Sequence, residues 1–495
     1  MLCIVRCVPE RAGRRRPESS ENGSEPMRIL MVKGSSFNRE VPQVCYPLGL
    51  MYMASWLREH QQDHEIELVD LRCHRHPFRL LREKLESLEP QMVAVSALTC
   101  EAGSLHKTAE EVKKWNPGAT VVVGGPHISA CTSDVSEDIN IDVLVAGEGE
   151  ETFAELVAAL EEGRSAEGIA GAACRIGGAM VWGPPREPIA DLDTIPFPAW
   201  DLVDVNLYAR LGRAGNVRRG RFFPLFTSRG CPFQCYYCHN LFGKRFRARS
   251  AANVIAEIRK IVEDFGVRDI EVYDDIFNLD LDRAKTVCRG VLDLDLLLSF
   301  PNGLRADRLD RELVGLLAEA GTTNLAVAVE CASPRLQKLI GKNLDLDRVK
   351  EAITWADTDG IATNGYFMLG FPTETADEIR STIDYAEATD LFFASFFIVT
   401  PYPGTPLWDQ TMSETESSTL DFSDYNYLSG YFNLGDLSSD ELRKLQREAY
   451  KRFYRRKRWK ILKNIFRLRL DWKNAAWLWL GRMKDRGRLR AKKAG

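Results

Sequence analysis

Short apolar runs alternate with longer amphipathic segments along residues 27–162. The short runs predict buried strands, and apolar residues that recur every three to four positions predict helices. The predicted strands are Arg28–Lys33, Glu65–Asp70, Met92–Ser96, Thr120–Gly124 and Val143–Val145, and the predicted helices are Leu48–Arg58, Pro77–Leu88, Leu105–Trp115 and Glu151–Glu161. This alternation predicts an α/β domain with a doubly wound parallel sheet, whose ligands bind at the carboxyl ends of the strands.

The same alternation returns along residues 221–410 as repeated strand-then-helix units. The predicted strands are Phe222–Thr227, Asp269–Tyr273, Leu297–Asn302, Asn324–Val329, Asn364–Leu369 and Phe393–Thr400. The predicted helices are Ala251–Phe265, Leu281–Leu292, Arg311–Ala320, Asp347–Thr358 and Thr375–Ala388. Such units predict a partial TIM-like (β/α)6 barrel, in which the chemistry gathers at the carboxyl ends of the strands.

Three segments outside these blocks differ in composition. Residues 1–26 are polar and rich first in Arg and then in Ser and Glu, which is typical of disorder. Residues 163–220 are rich in Gly, Pro and Arg, and we expect a linker that packs across two domains. With residues 411–495 as a C-terminal extension, the predicted domains are 27–162 and 221–410.

The end of the chain is strongly basic, unlike the rest. Residues 441–495 hold 21 Lys and Arg against 4 Asp and Glu, a net charge of +17 that leaves −21 for residues 1–440. Apolar residues share a helical face around residues 461–466, and tryptophans add amphipathic anchors. The pattern is typical of a basic helix at an anionic membrane surface, and equally of a helix docked on the barrel or at a dimer interface.

Cysteine usage and hydropathy indicate the cellular compartment in which the protein works. Apart from one triplet, the 12 cysteines are isolated along the chain, which suits a reducing cytosol better than a disulfide framework. No apolar run approaches the roughly 18 residues that a membrane-spanning helix needs, and the N-terminal arginines precede no secretory apolar segment. We therefore expect a cytoplasmic protein, with any membrane contact at the inner face and through the basic tail.

The cysteine triplet follows the first predicted barrel strand with the spacing C-x3-C-x2-C. Cys231, Cys235 and Cys238 lie in a loop that begins with a Gly-Cys-Pro turn. Three thiolates can hold three irons of a [4Fe-4S] cluster and leave the fourth iron open to a substrate. A zinc knuckle completed by His239 is an alternative, although zinc sites usually use two separated pairs and no second pair occurs here. Three structural cysteines without a metal are a further alternative.

This spacing, with the aromatic Tyr237 directly before the last cysteine, resembles the signature of the radical S-adenosylmethionine (SAM) enzymes. In that family the open iron is chelated by SAM, and the reduced cluster cleaves SAM to a 5'-deoxyadenosyl radical. The resemblance implies a reducing partner such as flavodoxin or ferredoxin, a small-molecule or lipid-like substrate, and no nucleic acid. An iron-sulfur redox sensor or electron carrier is the alternative from another class, although a carrier does not need an open iron.

Polar residues recur where the predicted barrel strands end. Carboxylates and an Arg on one rim suit a zwitterionic ligand that carries an ammonium, a carboxylate and a ribose. By the resemblance, Asp274 and Asp275 hold the SAM amino group, and Glu330 faces the ribose. The resemblance also implies that Arg305 meets the SAM carboxylate and that the turn at Gly370 lies near the adenine. It implies in addition that Tyr237 lies near the cofactor. Each residue taken alone is also explained as a solvated group at the rim.

Glycine-rich loops follow three strands of the N-terminal domain. In front of a radical SAM cysteine loop, they resemble the cobalamin-binding domain of one large subgroup of the family, in which such loops surround the nucleotide tail of cobalamin. The implied cofactor contacts are Ser96, Leu98, Thr99, Gly124, Gly125, Gly147 and Glu148. The stretch Gly34–Glu40 has no His where many cobalamin domains carry one, so the resemblance implies cobalamin without a protein imidazole ligand. Tight turns after buried strands are the plain alternative.

These observations predict a cobalamin-dependent radical SAM enzyme of the broad cyclase and methylase group. The implied reaction is methylation of an unactivated carbon after hydrogen abstraction by the 5'-deoxyadenosyl radical. A radical cyclisation or rearrangement, with an N-terminal domain that has lost cobalamin or uses it in another role, is the second interpretation. The identity of the substrate does not follow from the residues.

Overall fold

The computed structural model describes residues 26–35, 45–61, 64–211, 220–239, 241–412, 422, 432 and 434–464, with the side chains of the last helix described to residue 461. The predictions that concern residues 1–25, the loop 36–44 and the segment 465–495 lie outside the described residues.

The N-terminal sheet has five parallel strands followed by an antiparallel hairpin. Its strands are β1 (Arg28–Lys33), β2 (Glu65–Asp70), β3 (Met92–Ser96), β4 (Thr120–Gly124), β5 (Val143–Val145), β6 (Ala172–Ile176) and β7 (Ala179–Trp182). Its helices are α1 (Leu48–His60), α2 (Pro77–Leu88), α3 (Ala102–Trp115), α4 (Pro126–Ala130), α5 (Ser133–Ser136) and α6 (Glu150–Glu161). The strand order β2-β1-β3-β4-β5-β6-β7 confirms the doubly wound prediction for β1 to β5.

The segment 163–220, which composition predicts to be a linker, contains β6 and β7 as well as the helix α7 (Val205–Leu211). Strand β6 pairs antiparallel with β5, so the sheet continues beyond residue 162. Gly177 and Gly178 turn the chain between β6 and β7 with φ of +59° and +91°, which only glycine adopts readily. Both strands are short and lie among Gly and Pro residues, and the composition therefore hid them.

The second sheet is parallel throughout and forms the barrel. Its strands, with a small separate ladder of β9 and β10, are β8 (Phe223–Leu225), β9 (Ser228–Arg229), β10 (Arg247–Ala248), β11 (Asp269–Val272), β12 (Leu297–Leu304), β13 (Thr322–Glu330), β14 (Ala362–Leu369) and β15 (Phe393–Ile398). The helices are α8 (Ala251–Phe265), α9 (Leu281–Gly290), α10 (Arg311–Glu319), α11 (Pro334–Leu339), α12 (Leu346–Thr358), α13 (Ala376–Ala388), α14 (Pro406–Thr411) and α15 (Ser439–Asn464). The order β8-β11-β12-β13-β14-β15 confirms the six-stranded partial barrel.

Helix α15, the described part of the basic tail, packs on the edge strand β15. Tyr450 Oη accepts a hydrogen bond from the Phe396 amide at 3.0 Å, and Gln446 Nε2 donates to the Phe396 carbonyl at 2.7 Å. Tyr454 Oη donates to the Ala394 carbonyl at 3.1 Å, and Phe453 is fully buried below. These side chains satisfy backbone groups that an exposed edge strand would leave open to other chains. The alternative of a docked helix therefore holds for this part of the tail.

Across the described residues, the structure contains no helix with the length and apolar character needed to cross a membrane.

The carboxyl ends of the two sheets face each other. Glu148, in the loop after β5, forms an ion pair with Arg229 in β9, which precedes the cysteine loop. Tyr273, directly after β11, lies with its hydroxyl 3.7 Å from the sulfur of Cys45, which precedes α1. On another side, Phe422 packs in an apolar cluster with residues of the N-terminal domain, among them Ala102. The edges predicted to carry the two cofactors therefore lie in contact with each other.

Candidate active site between the two sheets

The cysteine loop, residues 230–246, leaves and returns to the barrel through the β9–β10 ladder. Gly230 opens the loop with φ of +82°, and a Cβ atom there would lie 2.3 Å from the carbonyl oxygen of Arg245. Only glycine allows this approach of the two ends of the loop. The Gly-Cys-Pro turn in the sequence is thus a requirement for closing the loop.

The three predicted cluster ligands lie free within this loop. Cys231 and Cys235 are half-buried, and Cys238 is exposed. The Cys238 amide donates to the Cys235 carbonyl at 3.1 Å, and the Cys231 amide donates to the Gly243 carbonyl at 3.3 Å. Among the described residues, no three His, Cys, Asp or Glu side chains converge on a single ion position. The ligands of a [4Fe-4S] cluster bind separate irons, and three free thiols on one short loop fit that group.

A buried polar group lies beside the cysteine loop. Tyr237 Oη donates to Glu330 Oε1 at 3.0 Å, and Lys342 Nζ lies 3.3 Å from the same oxygen. Burial lowers the pKa of Lys342, but the charges of Glu330 and Cys235 outweigh it and raise the pKa above its usual value. Glu330 has φ of +68°, a left-handed conformation that is uncommon for residues other than glycine. Lys342 therefore remains a cation beside the cluster ligands.

Asp274 and Asp275 are adjacent in sequence but have different surroundings. Asp274 is buried, and its carboxylate accepts hydrogen bonds from the Thr227 amide at 2.6 Å and from the hydroxyls of Thr227 and Ser228 at 2.5 and 2.6 Å. It holds the end of β8 where the cysteine loop begins. Burial raises the pKa of Asp275, against the opposing effect of His239, and its charge acts on the cluster cysteines. The structure thus engages Asp274 within the barrel and brings the charge of Asp275 near the cluster cysteines.

Arg305, predicted to meet a carboxylate, is already held by the protein. Its guanidinium pairs with Asp307 at 3.1 Å and donates to the Lys342 carbonyl at 2.8 Å. The same group lies 3.6 Å from the centre of the Phe233 ring in the cysteine loop, a close cation–π contact. Arg305 therefore fixes the segment that carries Lys342 against the cysteine loop.

The turn after β14 forms another wall of the site. Gly370 has φ of +91°, and its amide donates to Glu374 Oε2 at 2.6 Å, as the Phe371 amide does at 3.0 Å. Burial raises the pKa of Glu374 to about 7. The Phe371 ring lies 5.7 Å from the ring of Tyr237. The predicted adenine turn and the cysteine loop are thus in contact through aromatic side chains.

The cobalamin-like loops lie close together at the carboxyl edge of the first sheet. Gly125 has φ of +95°, and a Cβ atom there would lie 2.6 Å from Ser96 Oγ. A Cβ atom at Gly124 would lie 3.2 Å from the Val145 carbonyl oxygen. Beside this tight packing, Leu98 exposes 40% of its surface, and open space surrounds Gly147. An exposed apolar side chain and backbone without side chains fit a large ligand at this edge.

Two of the predicted cofactor residues are engaged within the protein. Thr99 is buried at the start of a 3-10 helix after β3. The carboxylate of Glu148 is enclosed by the side chains of Arg229 and Arg247 from the barrel. The structure brings the other loop residues to the edge that faces the barrel.

Comparison with known proteins agrees with both halves of this site. The family model described as B12 binding domain matches residues 34–157, and the Radical SAM superfamily model matches residues 225–386. An uncharacterized methyltransferase of Pyrococcus horikoshii is 33% identical over 446 residues, which cover 89% of this chain and 95% of that protein. The chain belongs to the cobalamin-binding radical SAM family.

Further members of this radical SAM family are similar at lower identity. An anaerobic magnesium-protoporphyrin IX monomethyl ester cyclase of Rubrivivax gelatinosus is 26% identical over 443 residues, which cover 87% of this chain and 78% of that protein. The radical SAM methyltransferase TsrM of Kitasatospora setae, solved with cobalamin and a [4Fe-4S] cluster, superposes with a TM-score of 0.65 at 23% identity. The match covers 78% of each chain and shows a shared fold.

Membership of the family establishes the protein as a radical SAM enzyme whose cofactors are a [4Fe-4S] cluster, SAM and cobalamin. Lys342 and Glu374 belong to the site but were missed in the sequence. The Phe-Pro-Thr-Glu run after β14 was a usable signal for Glu374. Lys342 follows α11 in a stretch without a motif, and only its contact with Glu330 identifies it.

Proposed function

We propose that the protein is a cobalamin-dependent methyltransferase that methylates an unactivated carbon of a small molecule. The observation that carries the proposal is the contact between the two domains, in which the cysteine loop and the loop at Gly147 are joined through the ion pairs of Glu148 with Arg229 and Arg247. A methyl donor and a radical source that act on one carbon must both come within reach of one substrate position. The name of the relative from Pyrococcus horikoshii supports methyl transfer.

The proposed roles of the cofactor-facing residues follow from their charges and positions. When bound, the cluster, SAM and cobalamin supply one-electron chemistry and the methyl group. Cys231, Cys235 and Cys238 hold the cluster, and Asp275 accepts hydrogen bonds from the SAM ammonium. We assign the carboxylate to Lys342, whose ammonium has one long contact, 3.3 Å to Glu330. Arg305 is held more tightly, by Asp307 and by the Lys342 carbonyl.

The remaining residues orient the nucleoside and shield it. Tyr237 and Glu330 form one hydrogen-bonded pair that we assign to the ribose side. The turn from Gly370 to Phe371, held by Glu374, is assigned to the adenine side. The rings of Tyr237 and Phe371 along this wall would exclude water from a bound nucleoside.

In the N-terminal domain, we assign the backbone at Gly124, Gly125 and Gly147 and the exposed Leu98 to the cobalamin tail. A radical cyclisation remains the second candidate because a magnesium-protoporphyrin cyclase is among the relatives. In that case the roles assigned to the barrel residues are unchanged, and cyclisation of the substrate replaces methyl transfer.

The test uses protein produced with cobalamin available and reconstituted anaerobically with iron and sulfide. We expect bound corrinoid, about four irons per chain and 5'-deoxyadenosine on reduction with SAM. Cys235→Ala should lose SAM cleavage, while the control Cys174→Ala, on strand β6, should retain it. Full cleavage by Cys235→Ala would contradict the cluster assignment. Protein that never takes up corrinoid would contradict methyl transfer from cobalamin and leave the cyclase candidate.

Two partners complete the proposal. An electron carrier, flavodoxin or ferredoxin, reduces the cluster, since a radical SAM enzyme needs an electron source. The segment 465–495, which lies outside the described residues, contacts anionic membrane through its basic residues and tryptophans.

A further inference from the structure

Four buried charged side chains join the two domains where the two sheets meet. Glu148 and Glu150 follow β5 in the N-terminal domain, and Arg229 and Arg247 lie at the two ends of the cysteine loop. The side chains expose only 4% to 7% of their surface. Two carboxylates and two guanidinium groups balance in charge, as buried ions must. These residues are called the clasp below.

The clasp holds both ends of the cysteine loop at once. Glu148 pairs with Arg247 through two hydrogen bonds, one of 3.0 Å between Oε2 and Nη1 and a shorter one between Oε1 and Nη2. Arg229 pairs with Glu150 at 2.5 Å and with Glu148 at 3.2 Å. Arg229 and Arg247 are direct partners in the β9–β10 ladder. Any shift of the β5 loop is therefore transmitted to the base of the cysteine loop.

Packing removes the freedom that long side chains usually have. The guanidinium carbon of Arg229 lies 5.7 Å from the ring centre of Tyr52 in α1 and 5.3 Å from that of Phe242 in the cysteine loop. Arg247 also donates to the carbonyls of Ile189 and Phe242 at 2.6 and 3.1 Å. With little water to screen them, the bidentate pair of Arg247 with Glu148 and the two ion pairs of Arg229 define one geometry.

We propose that Glu148 and Glu150 are positioning residues that fix the distance between the corrinoid site and the iron-sulfur cluster. The inference rests on the proposed function, because Gly147, assigned to cobalamin, directly precedes Glu148. The two cofactors bind to different domains, and one substrate carbon must be in reach of both. A residue pair that ties the β5 loop to the cysteine loop sets that distance, without touching either cofactor.

The experiment measures the distance directly in the holoenzyme. Cob(II)alamin and the reduced cluster are both paramagnetic, so relaxation enhancement of the cobalt signal in pulsed EPR reports their separation. We expect one narrow distance in the wild type and a shifted or broadened distribution in the double variant E148Q/E150Q. Hydrogen–deuterium exchange should also become faster in residues 147–150 and 230–246.

The control Glu257→Gln removes an equally buried carboxylate whose partner, Arg249, lies within the barrel domain. It is expected to keep the wild-type distance even if it lowers stability. If the double variant does not fold, Arg247→Lys, which keeps the charge but loses the second hydrogen bond, replaces it and should still shift the distance. An unchanged distance and unchanged exchange in a folded clasp variant would overturn the proposal. A wild type without corrinoid would instead refute the proposed function, and the exchange measurement would still decide whether the clasp holds the two loops.

Discussion

Replacing Lys342 with Met tests the assignment of the SAM carboxylate most directly. Methionine keeps the unbranched stem and removes the charge, so the packing beside Glu330 is nearly conserved. Lys342 Nζ lies 3.3 Å from Glu330 and stays charged because the raised pKa keeps it protonated. A hydrogen bond between charged groups contributes about 1.5 to 3 kcal/mol. We therefore expect Lys342→Met to weaken SAM binding by about 10- to 150-fold.

The assay is anaerobic equilibrium dialysis of SAM with reconstituted enzyme, at matched iron content. Lys338→Met is the control, because Lys338 lies exposed on the neighbouring helix α11. The same substitution also removes one partner of the buried Glu330, so the free energy of unfolding should fall by about 1 to 3 kcal/mol. A SAM dissociation constant unchanged by Lys342→Met, in protein with its full complement of iron, would refute the assignment.

Three further outcomes follow from the structure. Gly230→Ala should lose iron, because its Cβ would lie 2.3 Å from a carbonyl oxygen, whereas Gly266→Ala, with open space around it, should retain iron; equal iron contents would contradict this explanation. Burial raises the pKa of Glu374 from 4.5 to about 7, so the free energy of unfolding should fall as pH rises between these values. Urea unfolding at a series of pH values should show a smaller fall with pH for Glu374→Gln than for the wild type. Truncation after Asn464 should keep α15 docked but abolish salt-sensitive sedimentation with anionic vesicles; equal sedimentation of both chains would argue against membrane contact.

The local sequence pattern was enough to predict most helices and strands, because the residues that start and end them lie within a few positions of each other. Helix α8 begins after Ser250, whose side chain accepts from the Asn253 amide, and ends at Gly266 in the left-handed conformation. Both signals can be read from neighbouring residues, and the predicted bounds were confirmed. Strands β6 and β7 were missed because β6 pairs with β5, a partner outside the segment, and β7 in turn pairs with β6.

The cysteine spacing by itself determined the cofactor class, since three thiolates on one short loop carry their chemistry wherever the loop lies. Only the tertiary structure decided which charged residues are paired within the protein and which are available to a ligand. Asp274 turned out to be held by Thr227 and Ser228, and for this reason we propose Asp275 for the ligand. Glu148, predicted to face a cofactor, meets Arg247, which is 99 positions away in sequence. Whether a carboxylate is free or paired depends on side chains brought in from distant elements, and no local pattern contains that information.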